Sequence, residues 1–356
     1  MRFLFVMGHP AHVHLFRNAI AGLQKHGHEV SVAAVKKETT IALIEHYRIT
    51  CEVFGVDRKI LTRKALDILP RNLTLLKIAS KVDPDTIVST GSPYAAQVSK
   101  VLGVPHIAFG DTEIAGTITK LMLPFTDAIC TPSCFSLDLG PKHVKYNGYH
   151  EIAYLHPNYF KPDPSVLADV GLSKGETYSV VRLASWTSSH DVGEKGFGFS
   201  SAEQVMGFLK FLEGWGRVLL TTERSLPPEF SRYVSKFPLY KVHDLLHYAS
   251  LYVGEGATMA SEAGLLGTPW IFVSEAGRGY LTDQERNYRL GFHVNSTEDA
   301  RKKAGEILSN KDAKEEWEAK RQILLGDKID VTAFMIDFLE RWPQSFKDAK
   351  RPPPER

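Results

Sequence analysis

The stretch GEGATMASEAGLLGTPWIFV, residues 254–273, decides how the rest of the chain reads. Gly254 and Gly256 close the apolar run LYVGE (251–255), ATMASEAGLL reads as a helix, and Gly267-Thr268-Pro269 stops it before WIFVS (270–274). Strand, glycine turn, helix and strand make a βαβ unit, which belongs to a parallel sheet. A glycine turn into a helix also leaves backbone N–H groups at the positive end of the helix dipole, a seat that suits phosphate. In that frame Gly256, Ala257 and Thr258 offer donors to a diphosphate. Glu262, one turn on, stands at the height of a ribose whose two hydroxyls a carboxylate accepts. The plain alternative is a strand-helix turn with a solvated glutamate, and spacing alone leaves both open.

The same rhythm extends outward in both directions. Before the motif lie YSVVRLAS (178–185), a helix at 201–213 and RVLLTT (217–222). The first half repeats the pattern with FLFVM (3–7), a helix at 13–26, VSVAA (31–35), a helix around 39–47, TIVST (86–90), a helix at 93–102, HIAF (106–109) and TDAICTP (126–132). Residues 155–176 break it with three prolines among polar residues, as a linker would. The expected class is therefore α/β, with two Rossmann-like parallel-sheet domains. These are a first domain at 1–154, a linker at 155–176, a second domain at 177–325, a helix at 326–346 and an unstructured tail at 347–356. Open parallel sheets bind ligands beyond the C-terminal ends of their strands, so the two domains are expected to face a cleft, with functional residues in loops just after strands.

Composition narrows the function. Forty-three basic against 41 acidic residues leave +2, too little for a global field that gathers nucleic acid. Three cysteines, an odd number with no CxxC pair, suggest neither a disulfide framework nor a cysteine zinc site, and fit a cytoplasmic protein. The opening MRFLFVMG is too short for a signal peptide, and no apolar run approaches the ~20 residues of a membrane span.

Downstream, YLTDQERNYRLGF (280–292) places Asp283 and Gln284 at the expected start of a helix, where they can bond a polyhydroxylated group. Seen alone, Asp283 reads as an N-cap. Together the two motifs resemble the nucleotide-sugar donor site of GT-B-type glycosyltransferases. The likeness is to the N-acetylglucosaminyltransferase that makes peptidoglycan lipid intermediate II and, more distantly, to UDP-N-acetylglucosamine 2-epimerase. The whole chain also resembles an uncharacterised prokaryotic family within that superfamily. This resemblance implies a GT-B fold with the C-terminal helix crossing back to the first domain. It further implies ribose recognition by Glu262, diphosphate recognition by Gly256, Ala257 and Thr258, and sugar contacts at Gln284. The nucleotide base would be held by backbone at a strand end near Val242 and His243, in YKVHDLL (240–246). Glu255 departs from the pattern, standing where a small residue is usual and bringing a like charge beside a diphosphate. The loop SWTSSHDVGEKGFG (185–198), with Ser188, Ser189 and His190, takes the place of the superfamily's phosphate loop, or is a long surface loop. Arg182 is a buried or edge cation that could also reach the diphosphate.

On the acceptor side, GHPAHVHLFRNAIAGLQKHGHEV (8–30) matches the first turn and helix of the transferase, and puts His12 in the place of its loop histidine. His12 is thus the candidate base for an acceptor hydroxyl, with His9 as a neighbour and His14 structural. Three histidines without a carboxylate do not make a recognised metal pattern, so no metal is expected. STGSPYAA (89–96) offers Gly91 and Ser92 to an acceptor, and FGDTEIAG (109–116) adds Asp111, Thr112 and Glu113. A carboxylate there could share the base role or orient His12, although capping alone would also explain Asp111. Residues 58–81 carry seven basic side chains and one acid among leucines and isoleucines. They fit a helix pair packed on its own sheet, or a peripheral contact with an anionic membrane face.

The expected activity is metal-independent, inverting transfer of a sugar from a nucleoside diphosphate sugar, UDP-linked, to a hydroxyl acceptor that could be lipid-linked, with no cofactor. The alternatives are a UDP-sugar epimerase or hydrolase and a non-catalytic nucleotide-sugar binder.

Overall fold

The computed structural model describes residues 1–56, 68–113, 116–183, 201–222, 226–235 and 237–351. It divides into a first unit, Met1–Tyr154 with Ile329–Arg356, and a second, Leu155–Lys328.

In the first unit, strands β1 (Arg2–Met7), β2 (Glu29–Lys36), β3 (Cys51–Val56), β4 (Thr86–Ser89), β5 (His106–Phe109), β6 (Ala128–Pro132) and β7 (His143–Tyr146) form one parallel sheet in the order β3-β2-β1-β4-β5-β6-β7. Helices α1 (Pro10–Lys25), α2 (Glu38–His46), α3 (Ile68–Val82), α4 (Pro93–Leu102) and α5 (Gly116–Met122) make the crossovers. The central strand shows why the elements form here. Phe3, Leu4, Phe5, Val6 and Met7 are all at most 2% exposed, the unbroken apolar run that burial on both faces requires. In α1, Pro10 fits the first turn and His9 caps it, Nδ1 accepting from the Ala11 N–H at 3.2 Å. The helix buries Val13, Phe16, Ala19, Ile20 and Leu23.

In the second unit, β8 (Tyr178–Leu183), β9 (Arg217–Thr222), β10 (Leu251–Gly254), β11 (Trp270–Val273) and β12 (Gly291–Val294) form a parallel sheet in the order β12-β11-β10-β8-β9. Its longer helices are α6 (Ala202–Glu213), α7 (Val242–Tyr248), α8 (Ala257–Leu265), α9 (Gly279–Tyr288), α10 (Thr297–Ser309) and α11 (Ala313–Asp327). The proline-bearing segment expected to be a linker packs into this unit instead. Val166, Leu167 and Leu172 are buried, and the Asp163 N–H donates to Asp244 Oδ1 at 2.8 Å. Its prolines shape a surface crossing without preventing short apolar contacts.

The chain then returns to the first unit as α12 (Val331–Glu340) and α13 (Gln344–Ala349), two helices where one was expected, divided around Pro343. Ile336 of α12 occupies the space a Cβ at Gly22 would need, 2.4 Å away, and Thr332 Oγ1 donates to the Ala153 carbonyl at 2.7 Å. At its far end Glu340 lies 2.7 Å from His26 Nδ1 and 2.9 Å from His28 Nε2. Partial burial would raise the Glu340 pKa, but the bonds from His26 and His28 outweigh it and lower the pKa. A lowered carboxylate pKa gives stability that is present above the unfolded value and lost as pH falls through the folded one. Glu340→Gln should therefore cost under about 1 kcal/mol at neutral pH, and its melting curve should converge on that of the parent in acid. A gap that stayed constant down to about pH 3 would contradict the assignment.

Candidate functional site

Each sheet has a place where strand order reverses, between β1 and β4 and between β8 and β10, and such switch points are where open α/β sheets bind ligands. In the second unit Gly254 pairs with Arg182 in register, the Glu255 N–H donates to the Arg182 carbonyl at 3.0 Å, and Tyr252 Oη donates to the Gly256 carbonyl at 2.9 Å. A Cβ on Gly256 would lie 3.1 Å from the Tyr252 hydroxyl and 3.3 Å from Arg182 Cγ, so the arginine stem runs against the turn. Helix α8 starts at once, with Gly256 as an N-cap that has no side-chain bond, and with Gly256 and Ala257 half-buried and Thr258 exposed. The first N–H groups of such a helix have no partner of their own within it.

Behind this turn several ionisable groups converge. Glu255 is buried, 8% exposed, so it does not turn out to solvent. Burial drives the Tyr252 phenol well above its usual range; Arg182 opposes this, while Glu262 and Glu255 add to it. Glu262, 5% exposed, places Oε1 3.0 Å from His243 Nε2, itself 2% exposed. The pairing corrects one expectation. Val242 and His243 open helix α7 rather than end a strand, because Val242, Leu245 and Leu246 recur at helical spacing, and His243 meets Glu262 through its ring.

The neighbouring helix brings further corrections. Helix α9 starts at Gly279 with Arg278 as N-cap, so Asp283 is neither a cap nor a first-turn residue. It pairs instead with Lys328 at 3.1 Å and accepts from Asn287 Nδ2 at 2.6 Å. Gln284 is fully buried, its amide donating to Ser261 Oγ at 2.7 Å and accepting from Trp270 Nε1 at 3.2 Å, which ties α9 to α8 and β11. Ser188, Ser189 and His190 lie outside the described residues.

In the first unit the loops after β1, β4 and β5 assemble a second polar group. The Gly8 N–H donates to His12 Nδ1 at 3.1 Å, and Thr90 Oγ1 lies 2.8 Å from both ring nitrogens, capping the ring edge between them. Burial, then the neighbouring His9, lowers the His12 pKa to about 3. Gly91, at φ +118°, makes the turn into α4, where Ser92 Oγ caps the helix by accepting from the Ala95 N–H at 3.2 Å. Asp111 Oδ1 accepts from Thr112 Oγ1 at 2.8 Å, and Oδ2 lies 3.3 Å from His150 Nδ1. Burial alone would raise the Asp111 pKa; His150 and Thr112 overcome it and bring the group to about 2. This carboxylate thus faces a histidine. Glu113 turns aside to accept from the Ser136 N–H at 3.3 Å. His14 is buried beside Tyr47 and Tyr154, at ring-centroid distances of 5.9 Å and 5.2 Å.

Sequence reading missed His150 and, beside Asp111, the buried Tyr146, whose phenol burial drives upward with Asp111 adding to it. The available signal was YNGYHE (146–151), a glycine turn followed by a His-Glu pair at the end of a strand. Of segment 58–81, the described helix α3 buries Leu75, Ile78 and Ala79 and exposes Leu69 and Leu73. Among the described residues no three His, Cys, Asp or Glu side chains gather as metal ligands, and no helix is long and apolar enough to cross a membrane.

A family model described as "Protein of unknown function (DUF354)" matches residues 5–210. "Uncharacterized protein MJ0665" of Methanocaldococcus jannaschii is 23% identical over 271 residues, covering 73% of this chain and 78% of its own length. Among solved structures, the UDP-GlcNAc 2-epimerase from Neisseria meningitidis bound to UDP-GlcNAc superposes with a TM-score of 0.66 at 11% identity, over 96% of this chain and 100% of that one. Spinosyn forosaminyltransferase SpnP gives 0.62 at 14% identity, over 99% and 100%. At these identities the likeness establishes the fold, which is that of GT-B glycosyltransferases and UDP-GlcNAc 2-epimerases.

Proposed function

For this chain, which belongs to the DUF354 family of unknown function and has a GT-B-like fold, we propose metal-independent transfer of a sugar from a nucleoside diphosphate to a hydroxyl acceptor. The observation that carries this reading is in the second unit. Glu262, fixed by His243, stands one turn beyond a glycine turn whose helix start has no side-chain cap and is flanked by Arg182. A diphosphate on that turn would receive the α8 N–H groups, the Thr258 hydroxyl and the Arg182 charge, and the ribose hydroxyls would donate to Glu262. Charge developing on the leaving diphosphate would be stabilised by the same groups, and direct displacement would invert the sugar carbon. The loops after β1, β4 and β5, with His12, Gly91, Ser92, Asp111 and Thr112, are the proposed acceptor side. Gln284 and Asp283 have no part in it, since both are engaged within the fold.

The fold also supports a second reading, epimerisation or hydrolysis of the same donor. The protein given UDP-N-acetylglucosamine alone separates the two: turnover without an acceptor favours the second. A lipid-linked acceptor, with Leu69 and Leu73 of α3 against an anionic surface, is a further part of the proposal, and would show as binding to anionic but not zwitterionic vesicles.

Thermal unfolding with UDP, GDP, dTDP and ADP sugars tests the donor site itself. A UDP-sugar at about 100 times its dissociation constant should add about 2.7 kcal/mol of stability. If no nucleotide sugar raised the melting temperature, the donor-site reading would be wrong.

A further inference from the structure

The two histidines of the first unit commit their ring nitrogens differently. His12 Nδ1 accepts from the Gly8 N–H, so in the neutral ring the proton sits on Nε2. The lone pair that a base would use is spent on the backbone, and burial with His9 nearby keeps the ring neutral. His150 is committed the other way. Its Nδ1 faces Asp111 Oδ2 at 3.3 Å, and that carboxylate stays ionised, so the Nδ1 proton points at it and the lone pair is on Nε2. Nε2 is buried and has no hydrogen-bond partner among the described residues, in a side chain about 10% exposed. A buried acceptor without a donor costs roughly 1–3 kcal/mol, a cost that calls for an explanation in function.

We propose that His150, oriented by Asp111, is the proton acceptor of this site, and that His12 is a fixed neutral hydrogen-bond donor. The proposal rests on the transferase reading above. The hydroxyl proton of the acceptor passes to His150 Nε2 as the acceptor oxygen forms its bond to the anomeric carbon. The bond from that carbon to the phosphate oxygen breaks, its electron pair leaving with the diphosphate. The imidazolium so formed is stabilised by Asp111, which takes no proton itself, and later yields its proton to solvent. Nε2 is covered by its neighbours, and catalytic contacts often reach working geometry only with substrate bound. The titratable groups that act on the pair are His12 and Tyr146; His9 and Lys37 in turn act on His12, and Glu151, Cys130 and Cys134 on Tyr146.

The proton positions can be read without activity. In the full chain labelled with 15N-histidine, NMR should show His150 protonated on Nδ1 and His12 on Nε2, with His12 silent across about pH 5–9. Asp111→Asn should shift the His150 ring toward the other tautomer. In acceptor-dependent UDP release from UDP-N-acetylglucosamine, with an alcohol supplied as the acceptor, His150→Gln should lower kcat by about 100-fold or more with the donor KM nearly unchanged, and should remove the acid limb of the pH profile. His12→Gln should keep that limb. Finding the His150 proton on Nε2, or the acid limb lost with His12 and kept without His150, overturns the proposal. Failure of UDP to bind would instead sink the donor-site reading, and the NMR result would still decide where the proton lies.

Discussion

Glu262→Ala is expected to weaken UDP binding by about 100-fold or more. The two ribose hydroxyls would each lose a charge-assisted hydrogen bond worth roughly 1.5–3 kcal/mol, and about 1.4 kcal/mol corresponds to a factor of ten. The loss should exceed that of an exposed carboxylate, because Glu262 is 5% exposed and already oriented by His243, so little is spent on ordering it. The same substitution removes the acceptor from His243 Nε2 in surroundings 2% exposed, at a cost of about 1–3 kcal/mol in stability. Glu262→Gln separates the two effects: it keeps the volume and an acceptor oxygen for His243 but loses the charge and turns the other oxygen into an NH2 donor, so binding should suffer more than folding. Calorimetric titration with UDP, beside melting of the ligand-free variants, measures both. Alanine and parent proteins binding UDP within about twofold of one another would remove Glu262 from the donor site.

A second large effect is expected at Gly254, where the fold and the proposed site share atoms. A Cβ there would come within 2.5 Å of the Arg182 carbonyl oxygen and 2.9 Å of both Arg182 Cβ and the Tyr252 hydroxyl. The first of these is backbone in the adjoining strand and cannot swing away. Gly254→Val should therefore cost about 3 kcal/mol or more in urea unfolding, above the common range for overpacking. It should also weaken UDP, because relieving the clash moves Arg182 away from the turn. Gly326, in α11 with nothing within 4 Å of its would-be Cβ, is the contrasting position. There alanine should be neutral or add about 0.5–1 kcal/mol. Equal stabilities for Gly254→Val and the parent would show that the strand yields where the geometry says it does not.

What could be read from the sequence follows burial. Strands β1, β4, β8, β10 and β11 lie inside their sheets, covered on both faces, and their continuous apolar runs announce them. The strands that escaped reading, β3, β7 and β12, all lie at sheet edges. Cys51–Val56 alternates only irregularly, with Val53 and Val56 exposed, so no period marks it. The site divides along a different line. The glycine turn, Thr258 and Glu262 form one local motif, so the proposed donor site is legible from local spacing. The pairing of Glu262 with His243, and of Asp111 with His150, joins loops that only the sheet order brings together. Asp283 was expected to open a helix, whereas the backbone begins that helix at Gly279 and Lys328 pairs with the charge. Gln284, given a sugar contact by the resemblance, is enclosed by Trp270 and Ser261, partners that its local sequence does not announce.

The return of α12 to the first unit sets an order of assembly. The second unit is one uninterrupted stretch, Leu155–Lys328, whereas the first is made of residues from both ends of the described chain. During synthesis Met1–Tyr154 emerge ahead of the second unit, yet the strip of α1 around Gly22 remains uncovered until Ile336 arrives. The unit that begins first is therefore finished last. On the ribosome, its apolar helix face depends on other protection for as long as the whole second unit takes to be made.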